Sequence, residues 1–435
     1  MRKLLYILIF LFLSFSFDAV PPPPNGWYQQ FLPDLNNRPI SDIEFLDSLV
    51  GFAVTSHSTV GDTNYILKTT NGGDNWVINF SAYRDFFRVI FINSNTGYVS
   101  GGYYAPGVLY KTTNQGNSWI QVNTGFGSAY KDMSVLNEDT IWVVDDNGFD
   151  GGVFRTTNGG QNWTQQFDPT NKIYMFNGNI GFISGGASNG IIYKTTNSGV
   201  NWTQIPSENG FVDMYFIDSL TGWKARGSMK KTTDGGLNWQ TQTLPPVGGE
   251  IIISEIREFV NINNDTLWGV GSRTSNRGLI YKTTNGGENW GYQIPDTSIH
   301  IFIYYHVDFI NTLNGWTYHP FQGGVHTVTG GNDTTFYTGL IQVSNEIPKG
   351  FMLSQNYPNP FNPSTRIKFE LPKNSFVKLI VYDISGREII KLADKNLTAG
   401  SYETEWIGYG YPSGVYFYKL TTNEFSDVKK MILIK

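Results

Sequence analysis

The sequence predicts an all-β chain, a seven-bladed β-propeller followed by a small immunoglobulin-like β-sandwich, on three observations. A turn-and-Trp string returns six times, a separate Gly-aromatic motif returns seven times, and the composition is that of short strands and tight turns. Of 435 residues, 48 are Gly and 15% are aromatic, while 15% are charged, against about 25% in an ordinary soluble domain. Apolar content of 40% supports a real core, and the length allows two or three domains. The absence of cysteine excludes a disulfide scaffold, a thiolate zinc site and a cysteine nucleophile. A net charge of −5 with no polybasic run argues against nucleic-acid binding.

Arg2 and Lys3, the apolar run Leu4 to Leu13 and Ser14-Phe15-Ser16 read as a signal peptide over residues 1–16. An uncleaved anchor is the alternative, although the run is short for a membrane span. No transmembrane segment is expected after cleavage. Pro21 to Pro24 stiffen a spacer over residues 17–26.

Residues 27–332 are expected to form the propeller. The string from Tyr65 to Trp76 recurs ending at Trp119, Trp163, Trp202, Trp239 and Trp290; Trp27 lacks the turn, and Trp27 to Phe31 matches the stretch after it, Trp163 to Phe167. The six intervals from Trp27 to Trp290 average about 44 residues, the length of one four-stranded blade. Within each turn, Asn71 and its counterparts bond the backbone, Gly73 supplies positive φ, and Trp76 fills the gap between blades. Interleaved with these are second-strand aromatics at Phe52, Tyr98, Trp142, Phe182, Trp223, Trp268 and Trp316, usually after Gly. Nine positions before each stands an apolar residue: Ile43, Val89, Met133, Ile173, Met214, Phe259 and Val307. The last repeat departs from the pattern, with Thr334 where Trp should be. Trp27 to Phe31 is therefore expected to supply its outer strand in preference to Thr334 to Gly339, closing the ring with both chain ends.

The spacing Thr69-x-Asn71-x-Gly73-x-Asn75-Trp76 resembles the Asp-box turn of sialidase-like propellers, and Asp234 before Trp239 carries the actual Asp. In those families the box is a structural turn. Sialidase chemistry is not expected, because Asn37-Arg38-Pro39-Ile40 only imitates the family's Arg-Ile-Pro motif. Both motifs together resemble the photosystem II assembly factor family. That resemblance implies a seven-bladed propeller; the family's photosystem partner is not carried over.

Residues 333–350 are expected as a linker and 351–435 as a separate sandwich, with strands at 365–371, 377–383, 402–407, 415–421 and 428–434. Leu353 to Pro360, Tyr382-Asp-Ile-Ser-Gly386, Gly414-Val-Tyr416 and Lys430 to Ile434 resemble the type A sorting domain of type IX secretion cargo. The motif positions are Tyr357, Pro358, Asn359, Pro360, Gly414, Tyr416 and Lys430. The resemblance implies the type IX machinery as a partner, export across the outer membrane, removal of the tail, and a product secreted or held at the cell surface. An adhesive immunoglobulin-like module is the alternative.

All 12 Trp are assigned to turns, second strands or the tail, which leaves none as a sugar platform. Phe86-Phe87, Tyr103-Tyr104 and Tyr304-Tyr305 remain as contacts, the first and last expected to pack blades. Ten positions before the second-strand aromatics stand Asp42, Arg88, Asp132, Lys172, Asp213, Glu258 and His306, one titratable residue per repeat. They are expected to ring the mouth of the central channel, either capping the incoming loops or binding a ligand. Asp145 to Gly151 reads as a solvated turn, since Phe149 occupies the fifth position of a would-be calcium loop. His300, His306, His319 and His326 lack tight ligand spacing, so no metal is expected, and no cofactor loop is present. The expected function is a non-enzymatic binding or scaffold protein for a protein or glycan ligand. The alternatives are a glycan-cleaving enzyme, for which Glu44, Asp132, Asp213, Glu255 and Glu258 remain unpaired in sequence, and an assembly factor for an envelope complex.

Overall fold

The computed structural model describes residues 26–434 except 57–62, 103–105, 123, 146–150, 169, 186–189, 207, 246, 248–250, 333, 337–339, 345 and 409–410. Among the described residues there are 37 strands and no helix. Up to residue 336 the strands form seven antiparallel sheets. Six run in chain order from an inner strand outward, as in Ile40–Phe45, Gly51–Thr55, Asn64–Thr69 and Val77–Ala82. The seventh, His306–Phe309, Gly315–His319 and Gly323–Thr327, takes Tyr28–Gln30 as its fourth strand, with Tyr28 opposite His326. The first described strand therefore completes the last sheet, as the repeat of Trp27 implied. Trp27 donates its Nε1–H to Gln293 at 2.6 Å and meets Trp268 and Phe309 edge-on. The competing segment, Thr335–Phe336, becomes a fifth strand on Trp290–Gln293 of the sixth sheet.

The box turns follow one chemistry. Thr156 Oγ1 accepts from the Asn158 and Gly160 N–H groups, and Asn158 Oδ1 accepts from Asn162 N–H. Asp234 does the same for Asn238, and Thr327 bonds Gly331 in the seventh copy, although Thr329 replaces the Asn or Asp. Asn71 and Gly73 occupy these places in the first copy. The Trp residues at 76, 119, 239 and 290 are buried, and those at 163 and 202 are half-buried.

The Gly-aromatic motif has a tertiary cause. Three positions after each ring residue the inner strand carries Phe45, Phe91, Met175, Phe216 or Phe309, and this side chain lies over the glycine that starts the next strand. A Cβ at Gly51, Gly97, Gly181, Gly222 or Gly315 would sit 2.1–2.7 Å from it. In the third and sixth repeats that position is Val135 or Asn261, and there the glycine is replaced by Ile141 and Leu267. The covering ring then stacks on the second-strand aromatic of the preceding blade: Phe45 on Trp316 at 3.7 Å, Phe91 on Phe52 at 4.5 Å, Phe309 on Trp268 at 4.3 Å.

Neighbouring inner strands diverge and do not pair, so their edge N–H groups need other acceptors. Side chains of the preceding blade supply them in two rungs. In the first, Val89, Ile173, Phe259 and Val307 N–H donate to Asp42, Asp132, Asp213 and Glu258 at 2.8–3.0 Å. In the second, Phe91, Met175, Phe216 and Phe45 N–H donate to Glu44, Ser134, Tyr174 and Asp308 at 2.6–3.3 Å.

The C-terminal domain is a sandwich of two four-stranded sheets around one core. One contains Ile341–Ser344, Gly400–Ile407, Ser364–Leu371 and Met352–Leu353; the other contains Glu388–Leu397, Ser375–Asp383, Gly414–Thr421 and Ser426–Leu433. The segment expected as linker thus holds two short strands, one on each domain. The sequence reading missed Glu388–Leu397 because two register shifts break its alternation. The sorting motif stitches the sheet edge: Asn359 accepts from Ile432 N–H at 2.9 Å and donates to Lys430 carbonyl at 3.3 Å. Pro358 carbonyl accepts from Thr365 at 2.7 Å, and buried Tyr416 donates to Pro412 carbonyl at 2.8 Å. Tyr357 bonds Arg366 through its backbone, and the residue is 81% exposed. Pro360 leads into Phe361, whose N–H donates to Ile432 carbonyl, and Gly414 opens the strand opposite Leu433.

Gly222→Ala should destabilise the chain by about 1–3 kcal/mol through overpacking against Phe216, and adding Phe216→Val should recover part of the loss. Urea denaturation of the two variants and the double variant checks this; additive losses would reject the proposed contact.

Candidate functional site

The structure brings the seven predicted ring residues together at the start of the inner strands. Arg88 lies 3.5 Å from Asp42 and 3.3 Å from Asp132, and Lys172 lies 4.0 Å from Asp132. His306 Nδ1 faces Glu258 at 3.2 Å, and its Nε2–H faces Ile40 carbonyl at 3.1 Å, which joins the seventh blade to the first. Asp42, Asp132 and His306 are buried. The cations stand where a ring position offers no acceptor to the next blade, and they neutralise the carboxylates that do.

Burial and this crowding separate the acids. Burial, reinforced by the Glu258 charge, pushes Asp213 up to about 7. Burial also raises Asp42, partly offset by Arg88. It opposes ionisation of Glu258 too, but His306, the Val307 N–H and Arg88 together outweigh it and hold that carboxyl below its ordinary value. His306 is raised, burial being overcome by Glu258, Asp42 and the Ile40 carbonyl together, in keeping with two ring nitrogens that both face oxygen. Asp42, Glu258 and His306 each place a potential ligand atom within 4.8 Å of the others. Those atoms already serve Val89, Val307, Arg88 and Ile40.

Two cavities meet at the ring. The one on the mouth side is about 510 Å³ and the one on the far side about 310 Å³; both are lined by Arg88, Lys172, Val212 and Asp213, which form the floor between them. The mouth is built from residues one position before the ring: Ser41, Phe87, Lys131, Val212, Arg257 and Tyr305. Lys131 Nζ sits 3.8 Å from the Phe87 ring centroid, and Arg257 lies 5.4 Å from that of Tyr305 while pairing with Glu255 at 2.7 Å. The aromatic pairs therefore divide. Phe86 and Tyr304 pack the blades as expected, whereas Phe87 and Tyr305 line the mouth.

Sequence reasoning missed Lys131 and Arg257 as mouth residues, and it named Glu44 without its lower acid partner, Asp308. Burial raises both, Asp308 to about 7, and Asp308 adds to the shift of Glu44. The same sevenfold alignment read one residue earlier or two residues later contains all four. Arg38 is buried and bonds the Leu35 and Asn36 carbonyls, a loop role. Asp145 accepts from the Ser128 and Ala129 N–H groups. Residues 146–150 and Tyr103-Tyr104 lie outside the described residues, as do the segment expected as a signal peptide and most of the expected spacer.

Sheets of this kind around a charged channel define a β-propeller, here joined to a β-sandwich. Residues 24–184 match the family described as photosynthesis system II assembly factor YCF48, and residues 355–435 match the secretion system C-terminal sorting domain. A search of curated proteins returns no match. Among solved structures, YCF48 bound to D1 peptide superposes with a TM-score of 0.53 at 19% identity, covering 70% of this chain and 98% of that one. The GH74 xyloglucanase of Xanthomonas campestris gives 0.52 at 9% identity, covering 80% and 60%. PorZ, a surface component of the type IX secretion system of Porphyromonas gingivalis, gives 0.47 at 12% identity, covering 96% and 61%. The sorting domain marks the chain for export to the cell surface or for secretion. Among the described residues, no helix is long and apolar enough to cross a membrane.

Asp213 and Asp308 bind protons more tightly folded than unfolded, so their contribution is complete below about pH 4 and lost as pH rises through about 7. His306 acts with the same sign; Glu258 has the opposite sign, but only below its ordinary range. The unfolding free energy should therefore fall between about pH 5 and pH 8, by at most about 1.4 kcal/mol per pH unit for each carboxyl, and the melting temperature should fall with it. Asp213→Asn and Asp308→Asn should flatten the profile; a slope unchanged in both would reject the assignment.

Proposed function

We propose that the propeller is a non-enzymatic binding module, carried outside the cell by its sorting domain, and that it takes an extended peptide at the mouth cavity. The observation that carries this reading is the division of labour between layers. The first-rung carboxylates are committed to the next blade's backbone, while Phe87, Lys131, Arg257 and Tyr305 are held one layer above and fulfil no comparable backbone role. Aromatic faces flanked by cations suit a peptide with acidic side chains. The peptide bound to YCF48, which shares this fold, lends support.

One observation favours a second reading, a glycan-cleaving enzyme. Asp213 raised to about 7 beside a lowered Glu258 is the kind of split that assigns an acid and a base. A peptide array, a glycan array and a fluorogenic glycoside screen on the full secreted chain separate the two. Binding of acidic peptides that weakens about tenfold in Lys131→Ala/Arg257→Ala, with no turnover, supports the module. Turnover abolished by Asp213→Asn with folding intact would replace it with the enzyme.

A further inference from the structure

The second sheet of the sandwich has an outer face that takes no part in the core. Cross-strand register places its side chains in rows: Tyr382, Phe417 and Lys430; Lys391, Ile380, Lys419 and Val428; Asp394, Lys378, Thr421 and Ser426; Val415 and Ile432. None of these residues joins the core cluster, which is made from the alternate positions Leu379, Val381, Tyr416, Tyr418 and Met431. Val428 is 48% exposed, and Val415, Phe417, Tyr382 and Ile432 are part-exposed. An apolar centre crossed by lysines is unusual for the free face of an antiparallel sheet, where polar residues normally stand. Among the described residues of the face, Lys391 is the one lysine in an ion pair with a carboxylate, Asp394. Charge adds direction: residues 351–435 hold eleven Lys and Arg against eight Asp and Glu, within a chain whose net charge is −5.

We infer that this face is the surface by which the export machinery reads the sorting domain, and that the partner is a protein presenting an acidic surface with an apolar centre. The inference rests on the sorting-domain reading. The stitched motif supports the division: Asn359 holds the Ser426–Leu433 edge of this sheet in place, while Pro358 bonds Thr365 of the other sheet, and the rows beside the Ser426–Leu433 edge make the contact. The lysines supply steering and register, while Phe417, Tyr382 and Val428 supply the desolvated centre.

The test is export of the full chain from a bacterium with type IX machinery, set beside thermal melts of the purified chain. Lys378→Glu/Lys419→Glu/Lys430→Glu should lower the exported amount at least about tenfold with an unchanged melt, and the corresponding Lys→Arg triple should export within about twofold of the parent. Should the Glu triple melt early, the Lys→Gln triple serves in its place, with reduced export at an unchanged melt expected. Normal export of a folded Glu or Gln triple would overturn the inference. Normal export after deletion of residues 351–435 would instead remove the sorting reading beneath it. Retention of export combined with lysine-dependent sedimentation on anionic phospholipid vesicles would assign the face to a membrane and overturn the protein partner.

Discussion

The structure depends on how the inner edges of adjacent blades are satisfied. In a flat sheet each edge N–H would find a neighbouring carbonyl. In a propeller the innermost strands diverge, and a buried donor left alone costs about 1–3 kcal/mol. This chain answers with side chains: a carboxylate, hydroxyl or phenol of one blade reaches the backbone of the next, twice per junction where the sequence permits. The charged ring follows from that requirement. Carboxylates crowded around one axis repel, and Arg88, Lys172 and His306 are the charges that make them tolerable together.

The same requirement explains why the channel has a floor. Side chains that bridge blades also fill the axis, so one channel becomes two cavities with different linings. On the mouth side the exposed layer is aromatic and cationic; on the far side it holds Tyr174, Tyr215 and Asn261. Binding chemistry and structural chemistry are thus separated by a single residue step along each inner strand.

Much of this was legible in spacing. The period, the turns and the closing role of Trp27 can be read without three-dimensional knowledge, whereas the mouth expected at the ring is built one position earlier, from Phe87, Lys131, Arg257 and Tyr305. What was not legible came from contacts between repeats. The glycine before most second-strand aromatics showed in the sequence as a recurring motif without a stated cause, and it answers to Phe45, Phe216 and their counterparts across the hairpin. Lys131 and Arg257 occupy a position with no common residue type, so no column marked them. Glu388–Leu397 escaped because its shifts in register hide the alternation that defines a strand.

The seventh sheet carries one more implication. Tyr28–Gln30 is made before every other described strand, and its partner Gly323–Thr327 lies nearly three hundred residues later. No earlier segment can seal the ring, so a chain still being delivered holds an open arc with its first strand unpartnered. Completion of the circle then acts as a check on the propeller strands: a product truncated before Gly323–Thr327 keeps an unsealed edge, and one that includes that strand can close it.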